Sequence, residues 1–221
     1  MSSNLPVIAI DGPSASGKGT IAKKLAAHFG FAFLDTGLLY RAVGLAVQHA
    51  GGDPADPLQA EKVAHSLNAA ALIAAEHDPL LRKDTTSIAA SKVAAHPGVR
   101  AALLKFQQDF AVHPPEGKGA VLDGRDIGTV IAPHALVKIY VTASTEVRAE
   151  RRFKELQSRG QNATYEAVLA DMKERDLRDT TRLAAPAKPA SDAVTLDTTS
   201  MTADQAFAAA LKIAEKILDK K

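Results

Sequence analysis

Gly12-Pro13-Ser14-Ala15-Ser16-Gly17-Lys18-Gly19-Thr20 decides how this chain is read. A short apolar run, residues 5–10, precedes it and reads as a buried strand. Ile21, Ala22, Leu25, Ala26 and Phe29 follow at helical spacing, with Gly30 as the stop. Strand, glycine-rich loop and helix in that order make a P-loop. Its backbone N–H groups wrap phosphates at a helix N-terminus, and Lys18 brings a positive charge to the β- and γ-phosphates. One position departs from the general pattern. Gly19 follows the lysine where Ser or Thr is usual, and the hydroxyl comes one residue later, at Thr20.

Working outward, residues 31–34 form a second apolar run and residues 37–49 a second helix. The β-loop-α-β-α alternation predicts an α/β fold with a parallel sheet covered by helices on both faces. Residues 57–110 are alanine-rich and break at Asp78-Pro79 and His96-Pro97. They read as a mostly helical insertion. The sheet resumes at 120–122 and 136–141 and ends with a fifth strand at 193–196. Helices are expected at 146–157, capped by Ser144 or Thr145, and at 164–177. Residues 179–191 hold two prolines and no periodicity, and are expected to form a mobile loop. Thr202-Ala203-Asp204-Gln205 is a capping box that opens the last helix. The expected organisation is a single domain: a core of 1–56, 111–157 and 183–221, the insertion at 57–110, and a lid region at 158–182.

Composition narrows the function classes. Of 221 residues, 46% are hydrophobic but only 5% aromatic, so Ala, Leu, Val and Ile must build the core. There is no cysteine, which excludes disulfides and thiolate metal sites. The seven histidines are scattered, with no HExxH pair to suggest zinc. A formal net charge of +2 does not argue for a nucleic-acid partner. No apolar run approaches the ~18 residues of a membrane span, and no secretory leader is visible. The expectation is a soluble cytoplasmic monomer that binds neither nucleic acid nor membrane.

Three further segments carry chemistry. Asp35-Thr36-Gly37, with Tyr40 and Arg41, lies where a strand ends and a helix opens, the edge at which open α/β sheets bind ligands. Asp123-Gly124-Arg125-Asp126-Ile127-Gly128 begins with a carboxylate at a strand end, suited to Mg²⁺ or its waters. No metal ligand follows directly from the spacing; Thr20 and Asp123 are the two possibilities. Arg175, Arg178 and Arg182 recur at steps of three and four, on one helical face, with Asp179 among them. Three guanidiniums on one face repel one another, and a polyphosphate would relieve that cost. Arg148, Arg151 and Arg152 add charge on the preceding helix. The competing reading of these arginines is a solvated face paired with Glu150, Glu155, Glu174 and Asp176.

Taken together, these segments resemble the bacterial cytidylate kinases, within the nucleoside monophosphate kinases, where Gly also follows the P-loop lysine. The resemblance runs from about Ile8 to Asp197, and the DGRD-x-GT and ERD-x-RD segments in combination are specific to that family. It implies a P-loop NTPase-like three-layer sandwich with a five-stranded parallel sheet. It also implies transfer from ATP to CMP or dCMP, giving ADP and CDP or dCDP, with Mg²⁺. By position, residues 12–20 would hold the ATP phosphates; Arg41, Arg125 and Arg182 the CMP phosphate and the transferring group. Lys18, Arg125 and Arg182 would be the catalytic residues. Thr36, Arg175 and Asp179 would lie near the sugar, and Ser91, Arg100 and Asp126 would read cytosine. Cytosine presents an N4 amino donor where uracil presents a carbonyl, so a carboxylate separates the two. Two departures stand out. The family commonly has Ser where this chain has Thr36, and residues 68–87 are too short for the strand-forming insertion of familiar members. The alternatives are another small-molecule kinase accepting UMP or AMP, or a nucleotide-binding switch; an NKxD guanine-reading motif is absent.

Overall fold

The computed structural model describes residues 5–67, 78–115 and 118–219. Five strands form one parallel sheet: β1 Val7–Asp11, β2 Ala32–Asp35, β3 Ala120–Gly124, β4 Val137–Thr142 and β5 Val194–Asp197. Their order across the sheet is β2-β3-β1-β4-β5. β1 is central because it pairs on both sides; Ile10 lies opposite Asp123 of β3 and Ile139 of β4. Its alternation explains its apolar run. Ile8 and Ile10 pack on one face with Val121, Val137, Ile139 and Val141, while Ala9 packs on the other with Leu122.

The first face is covered by α1 (Lys18–Phe29) and by the last helix, which we number α8 (Ala203–Leu218). Ile21, Leu25, Ala206, Ala210 and Ala214 meet the sheet there. Gly30 ends α1 with φ 64° and its N–H on the Ala26 carbonyl. The expected capping box is present in full: Gln205 N–H donates to Thr202 Oγ1, and Thr202 N–H to Gln205 Oε1. α2 (Thr36–His49), α3 (Pro57–Ser66), α4 (Asp84–Val93) and α5 (Pro97–Val112) gather a second core around Leu39, Val43, Val47, Leu81, Val93, Val99 and Leu103. A 3₁₀ turn, Pro79–Arg82, precedes α4. No strand occurs in the insertion among the described residues; of the segment 68–87 that departs from the family pattern, 68–77 lie outside them.

α6 (Thr145–Ser158) and α7 (Tyr165–Thr181) pack on each other through Ala149, Leu156 and Val168. Ser144, not Thr145, caps α6. The expected loop at 179–191 starts later than its lack of periodicity suggested. α7 runs on to Thr181, because Asp179 is held by Arg125 and its carbonyl takes the Ala187 N–H at 2.8 Å. Tertiary contacts outweigh the missing apolar pattern there.

Candidate active site

The C-terminal ends of β2 and β3 and the loop that follows β1 open onto a cleft of about 180 Å³. The P-loop forms its floor. Gly17 takes φ 91°, a conformation that favours glycine, and a Cβ on Gly12 would sit 2.0 Å from the Val141 carbonyl oxygen. No side chain caps α1 at Gly17, so its first-turn N–H groups are left for an anion. Lys18 Nζ faces Asp123 Oδ1 at 3.8 Å. That oxygen has no hydrogen bond among the described residues.

Every residue picked out above as a candidate for the acceptor lines this one cleft, Thr36, Arg41, Ser91, Arg100, Arg125, Asp126, Arg175, Asp179 and Arg182, and so does Asp123, the candidate metal ligand. They arrive from separate elements. Arg41 on α2 donates to the Leu81 carbonyl at 2.7 Å and to Ser87 Oγ at 3.0 Å. Arg100 on α5 pairs closely with Asp126 and lies over the Tyr40 ring, 5.4 Å from its centroid. Arg125 donates from Nε to Asp179 Oδ2 at 3.0 Å. Arg182, at the end of α7, is 3.6 Å from the other oxygen of Asp126. Asp35 caps α2 through Gly37 N–H, and the neighbouring Thr36 hydroxyl donates to the Asp123 carbonyl at 2.8 Å.

The P-loop divides the remaining candidates. Ser14 and Gly19 face the cleft with Lys18, whereas Ala15, Ser16, Gly17 and Thr20 line a second pocket on the outer side with Arg151, Thr198 and Met201. Pro13, at the turn, lines neither pocket. Thr20 and Asp123, the two possible metal ligands, are thus on opposite sides of the loop.

Electrostatics set the cleft apart. Six cations line it against four carboxylates. Burial, with Arg125 close by, lowers the Lys18 amine to about 8 even though Asp123 opposes the shift. Burial, again with Arg125, lowers the Arg175 guanidinium to about 10. Burial also lifts the Asp123 carboxyl to about 6 against the pull of Lys18. Three groups keep their charge against burial: the Asp179 carboxyl is held below the usual range by Arg125, Arg175 and Arg182, the Arg100 guanidinium is raised by Tyr40 and Asp126, and that of Arg125 by Asp179 and Asp123. A surplus of crowded, partly desolvated cations is a site that gains by taking up phosphates.

The arginine-face reading needs correcting. The three guanidiniums of α7 are not unpaired. Arg175 donates to Ser87 Oγ at 2.8 Å, Arg178 pairs with Glu174, and Arg182 donates to the Ala185 carbonyl at 2.7 Å. Arg178 lines a neighbouring pocket with Glu174, its ion-pair partner one turn earlier, and reaches the edge of the main cleft only through Ser91 Oγ, to which its Nε donates at 3.3 Å. On α6, Arg148 is buried against Asp176 and the Ser14 carbonyl, so it ties α6, α7 and the P-loop together. Arg151 is held by Thr198. Arg152 pairs with Glu155 and with Asp84 across the molecule.

Two participants have no role that the sequence assigns. Nothing local to Tyr40 announces a ring stacked on an arginine sixty positions away. Asp11 was passed over because the apolar run stops at Ile10. Its two carboxylate oxygens accept Ile127 N–H and Gly128 N–H, each at 2.8 Å.

Residues 8–216 match the cytidylate kinase family. The chain is 62% identical to the cytidylate kinase of Paramagnetospirillum magneticum over 94% of its own length and 96% of that protein. It is 59% identical to that of Rhodospirillum rubrum, over 94% and 96%. Among solved structures, an uncharacterized protein from Eubacterium ventriosum shares the fold with a TM-score of 0.55 at 15% identity, covering 99% of this chain and 100% of that one.

Proposed function

As a member of the cytidylate kinase family, this chain transfers a phosphoryl group from ATP to CMP, and we propose that the arginine-lined cleft is where it does so, with dCMP as a second acceptor. One observation carries the assignment of residues. The P-loop lysine and five arginines from four separate segments converge on a single cleft at the C-terminal edge of the sheet.

The donor phosphates lie on residues 12–20, along the free N–H groups of α1 and Lys18 Nζ. The outer pocket, with Thr20, Arg151 and Met201, receives the donor's base. Arg41, Arg125 and Arg182 hold the acceptor phosphate opposite Lys18, with Arg175, Asp179 and Thr36 beside the sugar. Asp126 accepts from the N4 amino group, and Arg100, braced on Tyr40, donates to the ring acceptors; Ser91 lines the same end. Mg²⁺ fits this donor set: Asp123 offers one unbonded carboxylate oxygen beside Lys18, and magnesium is usually held by one or two carboxylates plus phosphate oxygens. Asp123 would hold it, and the ion supplies charge neutralisation on the phosphates.

Transfer between phosphates asks little covalent chemistry of the protein. It depends on in-line placement and on neutralising charge at the transferring group. An incoming nucleotide phosphate is already ionised near neutral pH, so no strong base is required. Lys18 and the arginines contribute charge, and α7 closes the cleft from solvent. In this reading the chain acts in the cytoplasm on small nucleotides, as a monomer.

The test is a panel of monophosphate acceptors with ATP and Mg²⁺, run on the wild type and on Asp126→Asn. CMP is expected to lead, and the variant to lower the CMP-to-UMP ratio of kcat/KM by about tenfold, as expected from unpairing one buried polar contact. An unchanged ratio would remove Asp126 from base reading.

A further inference from the structure

An aspartate at the N-cap of a helical turn ordinarily folds its own carboxylate onto the first free amides. Asp126 occupies that position before the turn Ile127–Ile131, yet its side chain makes no capping bond. Both of its oxygens face the cleft instead, one against Arg100 and the other 3.6 Å from Arg182. The turn is capped from another strand. Asp11, the last residue of β1, gives one oxygen to Ile127 N–H and the other to Gly128 N–H, each at 2.8 Å. Asp11 is 5% exposed and stands in register with Gly124 of β3. The residue after it is Gly12, where the P-loop begins. A single side chain thus joins the start of the donor loop to the amides directly following Asp126.

We propose that Asp11 is a positioning residue for acceptor choice: by capping the Ile127–Ile131 turn in place of Asp126, it keeps the Asp126 carboxylate out of the cap and turned, beside Arg100 and Arg182, into the cleft that receives the acceptor base. The proposal rests on the reading of Asp126 as the group that meets cytosine N4. Only a carboxylate suits the position. Two N–H donors converge on Asp11 and favour its ionised form, acceptor-only on both oxygens, against burial, which lifts the carboxyl to about 7. An asparagine would satisfy one donor and point its own NH₂ at the other. A vacated Gly128 amide, at the second position of the turn, then competes for the carboxylate of Asp126, the N-cap residue.

The experiment compares Asp11→Asn, Asp126→Asn and the double variant for kcat and KM with CMP, UMP and ATP. Asp11→Asn is expected to raise KM for CMP and to lower the CMP-to-UMP ratio of kcat/KM by about tenfold, with KM for ATP within about twofold of wild type. Because both changes act through one carboxylate, the double variant should discriminate no worse than Asp126→Asn alone. A merely structural role would lower turnover on both acceptors alike and leave the ratio in place. A normal ratio in folded Asp11→Asn, alongside a lowered one in Asp126→Asn, overturns the positioning role and spares the base-reading role. Normal ratios in both overturn the two together. Should Asp11→Asn not fold, as judged by circular dichroism, Asp11→Ser offers one small acceptor at the same place, and the same outcomes decide.

Discussion

Gly19 shows how one missing side chain shapes the site. A Cβ there would stand 3.0 Å from Asp123 Oδ2, closer than a carboxylate oxygen readily allows. The Ser or Thr usual after the P-loop lysine would therefore push on Asp123, which already faces Lys18. Lys18, on the other side of Asp123, is shifted by its own burial. Its amine is lowered to about 8 by burial and by Arg125, so above that pH the ligand-free lysine is mostly neutral. Bound phosphates favour the charged form and return the amine toward its ordinary value of 10.5. ATP binding at pH 8.5 should thus take up protons. Calorimetry in two buffers of different ionisation enthalpy reads this directly. Lys18→Met should remove the uptake and most of the turnover; uptake that persists would place the titration elsewhere.

Among the elements, α3 separates stability from catalysis. Asp56 caps it, accepting Leu58 N–H at 2.9 Å and Gln59 N–H at 3.3 Å, and Pro57 fills the first turn. No residue of α3 lines the cleft. Asp56→Ala should cost about 1 kcal/mol and lower Tm by about 2–4 °C, with kcat unchanged. Thermal melts and a steady-state assay on the same sample check both halves. The elements themselves were largely legible. Buried parallel strands announce themselves as continuous apolar runs, and the capping box at Thr202 is spelled out in local sequence; the choice of Ser144 over Thr145, and the place of Thr164 as a cap and not a first helical residue, came from the structure. Their polar ends were harder to place. Asp11 and Asp35 close β1 and β2, and Asp123 is the penultimate residue of β3; only the last two sit in segments with a recognisable pattern. The cleft residues were legible through their combination across distant segments, since each segment alone is a capped helix or a polar loop. Their pairing was not legible: whether Arg148 reaches phosphate or Asp176 depends on how α6 and α7 pack, which no local spacing encodes.

Across the whole molecule, the insertion and the α6–α7 pair are fastened to each other over the cleft. Asp84 on α4 pairs with Arg152 on α6, and Ser87 on α4 accepts from both Arg41 and Arg175. Asp84 is partly exposed, so the ion pair contributes little to global stability, about 1 kcal/mol or less. Its effect should be local. Asp84→Ala is expected to speed amide exchange in α4 and α7 while leaving α1 unchanged. Uniform acceleration would mean that the pair supports the fold as a whole. The Tyr40 ring beneath Arg100 has an optical consequence. The chain has no tryptophan and only three tyrosines. One of these three chromophores therefore lies in the wall of the acceptor pocket, so the near-ultraviolet spectrum of the unlabelled protein is itself a probe of nucleotide arrival, with Tyr40→Phe as its silent control.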